Sequence, residues 1–158
     1  MKLSDIVVKK AIIPSLDASS RDDAITEIVA SLVAAGSISA DHQDDFIKAL
    51  VKREKRGSTG FGHGVAVPHV KHPDLEGMHV AIGLSEQGID FNALDNKPVH
   101  SIFMLLSPED KPEDHLDAME AIFANLSQDT FRRFLIQAES IVDVTTLIDE
   151  ADANEYAN

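Results

Sequence analysis

Ser58-Thr59-Gly60-Phe61-Gly62-His63-Gly64-Val65-Ala66-Val67-Pro68-His69 decides how this chain of 158 residues is read. A glycine-rich stretch gives way to a short apolar strand, Gly64 to Val67, which a proline stops and a histidine follows. Pro68 fixes its own φ and pushes Val67 into an extended conformation, so His69 leaves the strand end with little positional freedom. Gly60, Gly62 and Gly64 let backbone N–H groups come close to an oxyanion. An imidazole with an unperturbed pKa of about 6.5 is a nucleophile near neutral pH. Its attack on a phosphoryl group forms a P–N bond labile enough to pass the group on. The plainer reading of His69 is a residue that closes the strand by hydrogen bonding. As a motif, Gly-x-Gly-x-Gly is neither a P-loop nor a dinucleotide fingerprint, because no Lys-Ser/Thr follows and the glycines precede a strand.

Upstream, residues 7–13 read as a first strand ending at Pro14. Ser19 or Ser20 can cap a helix whose Ile25, Ile28, Val29, Leu32 and Val33 form one apolar stripe, with Gly36 ending it. Ser39 or Asp41 can cap a second helix over about 41–55, burying Phe46, Ala49 and Leu50. That stripe, extended one step, reaches Arg53, while Lys52, Lys55 and Arg56 point elsewhere. An inward arginine must meet an anion or a carboxylate. A guanidinium forks onto two phosphoryl oxygens, which is what phosphoryl transfer needs; a structural ion pair is the alternative.

Downstream, residues 78–85 form a strand, Asp95-Asn96-Lys97-Pro98 a turn, and Val99 to Leu106 a central strand covered on both faces. Ser107 to Pro112 is a loop. Helices follow at about 113–126, with Leu116, Met119, Phe123 and Leu126 on the apolar face, near 129–138, and at about 140–150, with Ile141, Val144, Leu147 and Ile148 buried. This order predicts an α/β fold, a three-layer α/β/α sandwich with a mixed sheet. Residues 1–151 form one domain and 152–158 a polar tail. In such sheets ligands bind beyond the carboxyl ends of strands, where this reading puts His69. His115, in the first turn of its helix, is placed to donate to a phosphate at the helix N-terminus. Ser58 and Thr59, with Gly60, are candidate phosphate-binding residues.

Fourteen basic against 27 acidic residues give a formal charge of -13, which argues against nucleic acid as a partner. With no cysteine, thiolate chemistry is excluded. No apolar run is long enough to span a bilayer, so no membrane insertion and a cytoplasmic location are expected. His63, His69, His72 and Asp74 lie close in sequence, but their spacing matches no zinc pattern, and neither a metal nor another cofactor is expected. His42, His79 and His100 read as ordinary surface or strand residues.

The run from Arg53 to His69 resembles the active-site signature of the enzyme IIA proteins of the bacterial phosphotransferase system, mannitol/fructose type, and within it the nitrogen-regulatory branch. The resemblance continues through Ile89 to Val99, Ser107-Pro108 and His115-Leu116, nearly the whole chain. It implies a five-stranded mixed sheet between helices. It implies that His69 accepts a phosphoryl group on Nε2 from the histidine-containing phosphocarrier protein, with His115 as second active-site histidine and Arg53 as active-site arginine. Two positions depart from the family pattern: His63 stands where small or amide residues are usual, and Val70 replaces a glycine after the histidine.

The function expected is therefore a phosphocarrier in a regulatory role, acting on a downstream target. The alternatives are a freestanding IIA subunit serving a fructose or mannitol permease, and a non-catalytic regulatory binding module.

Overall fold

A computed structural model describes residues 1–154. Three helices precede the strands, beginning with α1 (Leu3–Ile6) and, after a 3-10 turn at Lys9–Ala11, α2 (Arg21–Ala34). A second 3-10 turn, Ala40–His42, leads into α3 (Gln43–Arg56). The strands are β1 (Gly60–Gly62), β2 (Val65–Ala66), β3 (His69–His72), β4 (His79–Ile89) and β5 (Val99–Pro108). Three helices close the chain: α4 (Pro112–Leu126), α5 (Asp129–Gln137) and α6 (Ile141–Asn154).

The five strands form one mixed sheet organised around β5. β2 and β3 both pair with β5 in parallel and in one unbroken register, Val65 with Ser101 through His72 with Pro108. β4 pairs with β5 antiparallel, and β1 pairs antiparallel with β2. Pro68 therefore interrupts a strand rather than stopping it. A proline lacks only the donor; its carbonyl still accepts from Leu105 N–H at 2.9 Å, so pairing resumes at once.

Alternation along β5 divides the core in two, as period-2 geometry demands. Phe103 and Leu105 join Val65, Val67, Val80 and Ile82 beneath α1, α4, α5 and α6. Ile102, Met104 and Leu106 join Ala66 and Ala81 beneath α2 and α3. The expected three-layer sandwich is what the chain forms.

Five local expectations need correction. Residues 7–13 touch β4 only at Val7–Val80 and Ile13–Gly83, because the 3-10 turn at Lys9–Ala11 breaks the strand between them. On α3 the inward charge is Glu54, 3% exposed, whereas Arg53 and Ala49 are half-buried. On α4 the inward row is His115, Ala118, Ile122 and Leu126; Leu116 is 62% exposed and Phe123 36%. The polar tail begins later than residue 152: Asp152 lies in α6, and its carboxylate accepts from Leu3 N–H at 3.0 Å and Ser4 N–H at 2.9 Å, satisfying free donors at the start of α1. Residues 155–158 of the expected tail lie outside the described residues. On α6, Val144, Leu147 and Ile148 are buried as expected, but Ile141 is 41% exposed at the first turn.

Candidate functional site

The glycine-rich stretch is a hairpin. Gly60 pairs with Ala66 and Gly62 with Val65, and His63-Gly64 forms the two-residue turn with φ of 59° and 76°. Two positive φ values in succession suit a tight hairpin and favour glycine or asparagine. His63 thus occupies a left-handed position. Its backbone N–H donates to Asp95 Oδ2 at 3.2 Å. That bond adds to the one from Lys97 N–H, which does most to hold the Asp95 carboxyl below the usual carboxylate range.

The donors offered for phosphate binding are already engaged in holding this hairpin. Ser58 Oγ donates to the Phe91 carbonyl at 2.5 Å and accepts from Gly60 N–H at 2.9 Å. Thr59 gives both its N–H, at 3.1 Å, and its hydroxyl to the buried Glu54 carboxylate. A Cβ on Gly60 would lie 2.9 Å from Ala93 Cβ, so this glycine serves close packing rather than anion approach. These groups hold the hairpin, and Thr59 is anchored by a carboxylate the stripe argument missed. The sequence signal for Glu54 is its place on the i, i+4, i+8 row through Phe46 and Leu50.

His69 opens β3 and faces α4. Its Nδ1–H donates to the Val67 carbonyl at 2.9 Å, which leaves the lone pair on Nε2. The His115 ring lies beside it, with centroids 5.7 Å apart and planes at 52°. His115 is 7% exposed, and its Nδ1 is 2.5 Å from the buried hydroxyl of Ser107 at the end of β5. Burial, then the nearby His69 and Lys71, hold the His115 pKa below the ordinary histidine value. Two elements thus present two imidazoles to one surface.

Arg53 lies at the other end of the hairpin, in the last turn of α3. Its Nη1 donates to the Gly57 carbonyl at 2.8 Å, and among the described residues no carboxylate pairs with it. The structural ion pair weighed for it is not formed. Val70 is a half-buried strand residue packed on the α3 side, a position where β-branching fits. His63, His69, His72 and Asp74 do not form one metal-holding group among the described residues.

Residues 5–151 match the family model for the EIIA 2 component of the phosphoenolpyruvate-dependent sugar phosphotransferase system. The chain belongs to that family. It is 34% identical to a nitrogen regulatory protein of Klebsiella oxytoca, over 99% of this chain and 96% of that one. It is 32% identical to the fructose-specific EIIABC component of Bacillus subtilis, over 96% of this chain but only 24% of that much longer protein. The crystal structure of nitrogen regulatory protein IIA-Ntr from Neisseria meningitidis superposes with a TM-score of 0.83 at 30% identity, covering 92% of this chain and 98% of that one. Among the described residues no helix is long and apolar enough to cross a membrane.

Proposed function

We propose that the chain is a phosphocarrier whose His69 Nε2 takes a phosphoryl group from a phosphohistidine on the histidine-containing phosphocarrier protein, in the cytoplasm. The observation that carries this reading is the bond from His69 Nδ1–H to the Val67 carbonyl, because it aims an unprotonated Nε2 outward beside His115. Nε2 attacks phosphorus in line; its new P–N bond forms as the donor's P–N bond breaks, and the donor imidazole leaves with its electron pair. The attacking ring gains positive charge, which the Val67 carbonyl stabilises through Nδ1–H.

His115 acts on the phosphoryl oxygens. With the Ser107 hydroxyl as hydrogen-bond donor to Nδ1, His115 Nε2 carries the proton and donates to the group in transfer. Arg53, which pairs with no carboxylate among the described residues, supplies the forked cation; in phosphoryl transfer such positioning and charge stabilisation do most of the catalytic work. The exposed Leu116 and Phe123 flank His115 on α4, and Phe123 is packed against Phe61 of the hairpin with ring centroids 4.8 Å apart. An apolar rim beside the half-buried His69 suits a protein donor rather than a small substrate.

The likeness to nitrogen regulatory proteins over nearly their whole length supports a regulatory role, with the phosphorylation state of His69 read by a downstream target. The 32% identity to a fructose-specific component supports a second reading, a subunit that passes the group to a sugar permease.

The test is incubation with phosphoenolpyruvate and the two upstream carrier proteins. The expected product is one acid-labile phosphoryl group per chain, absent in His69→Ala. Labelling that persists in His69→Ala removes the proposed acceptor. Onward transfer to a permease IIB domain would favour the transport reading, and retention of the group the regulatory one.

A further inference from the structure

We propose that His42, His72 and Asp74, with Asp45 behind them, form a site for one divalent transition ion of the zinc class, on the opposite face of the sheet from His69. His42 ends the 3-10 turn ahead of α3, and Asp45 lies in the first turn of that helix. His72 ends β3, and Asp74 follows in the turn. Nothing in the phosphoryl-transfer reading uses these four groups.

The spacings suit a metal. Asp74 Oδ2 is 3.4 Å from His42 Nε2 and 3.8 Å from His72 Nδ1. Donors around a tetrahedral zinc, each about 2.0–2.2 Å from the ion, lie roughly 3.3–3.6 Å apart. The first spacing fits that range and the second lies just outside it. One donor atom each from His42, Asp45 and His72 also lies within 4.8 Å of the others. Asp45 Oδ2 is 4.0 Å from His42 Nδ1, the nitrogen that faces away from Asp74. At 4.0 Å Asp45 makes no hydrogen bond to His42; its charge lies behind the ring, so Asp45 is a positioning residue that favours a cation at the site. Water completes the fourth position.

Two further features favour an ion here. His72 is held in place, its ring packed on the buried Phe46 with centroids 4.6 Å apart and beside His42 at 5.5 Å. Among the described residues neither Asp45 nor Asp74 pairs with a lysine or arginine; imidazoles are their only salt-bridge partners, in a chain of formal charge -13. The site thus lacks a cation that a metal would supply. Two imidazoles and a carboxylate select zinc, nickel or copper over calcium or magnesium, which take oxygen ligands. His72 Nδ1 accepts from Asp74 N–H at 3.1 Å. Ligation would take that lone pair, and the freed N–H, at an exposed position, would turn to water at little cost. A bound ion would tie the start of α3, whose last turn holds Arg53, to the end of β3, whose first residue is His69.

The histidine pair His69 and His115 is a rival zinc site, so the test removes it. Metal-free His69→Ala protein is titrated with zinc chloride at pH 7.5 by calorimetry and by thermal melting. One ion per chain and a midpoint raised by several degrees are expected. Adding His42→Ala or Asp74→Asn, the first half-buried and the second exposed and neither in the core, should weaken binding at least tenfold and remove the thermal shift. Absence of zinc binding in His69→Ala overturns the proposal. So does binding that neither His42→Ala nor Asp74→Asn weakens.

Discussion

β3 carries two histidines three positions apart, and its pleat sends them to opposite faces of the sheet. His69 faces α4, gives its Nδ1–H to a backbone carbonyl, and has His115 and Lys71 for neighbours. His72 faces α3, accepts a backbone N–H on Nδ1, and lies against Asp74 and His42. One environment suits an incoming anion and the other a cation. Residue type and strand are the same on both sides; which ring nitrogen the backbone engages, and the sign of the nearby charges, separate the two chemistries.

The widest separation between the faces should come from removing positive charge at His69. Arg53→Ala is expected to slow phosphoryl transfer to His69 by about 10²–10³, the scale of losing one preorganised donor, with the far-UV circular dichroism unchanged. Arg53→Lys should recover only part of the rate, since an ammonium cannot fork. A rate equal to the parent's in Arg53→Ala takes the arginine out of the site. Ser107→Ala should cost less, roughly tenfold in rate, and should move the pH profile, because His115 then loses the group that fixes its tautomer. A slowed rate with an unmoved profile would make Ser107 a packing residue only.

The hairpin that stands between the faces can be loosened separately. Glu54→Gln keeps the shape but sets an amide against two donors of Thr59, and should lower stability by about 1–3 kcal/mol in urea denaturation. An unchanged midpoint would mean the carboxylate is not the anchor of the loop.

The smallest effect concerns pH. Burial lowers the pKa of His79 in the folded chain, and burial with nearby positive charge lowers that of His115. The unfolded chain therefore takes up these protons first as pH falls. Their contribution is fully present above the unfolded value of about 6.5 and is lost as pH drops towards the lower folded values. His79→Gln should flatten the decline of the thermal midpoint below that pH; an unaltered slope would assign the loss to other groups.

Much of this was legible in the sequence because apolar periodicity is strong where burial is complete. The stripe from Ile25 to Leu32 and the run from Val99 to Leu106 read directly as a helix face and a doubly covered strand, and Ser20 caps α2 as expected. His69 and His115 were also readable, and the fold brings them together. Legibility failed where a polar side chain takes the inward position. Glu54 and His115 occupy core-facing places, so the apolar stripes of α3 and α4 were drawn one residue off, through Arg53 and Leu116. It failed again at Pro68, read as a stop although the sheet uses only its carbonyl. The cluster of His42 and Asp45 with His72 and Asp74 joins residues about thirty positions apart, a separation no local spacing rule detects.

The central claim is that His69, not the similarly placed His72 or the adjacent His115, carries the phosphoryl group on Nε2. The most direct measurement is phosphorus-coupled NMR of the chain labelled with ¹⁵N in its histidines, after phosphorylation from phosphoenolpyruvate. The account predicts one P–N coupling, to His69 Nε2, with Nδ1 of the same ring still protonated. A coupling to Nδ1 of His69, or to any nitrogen of His115 or His72, would contradict it.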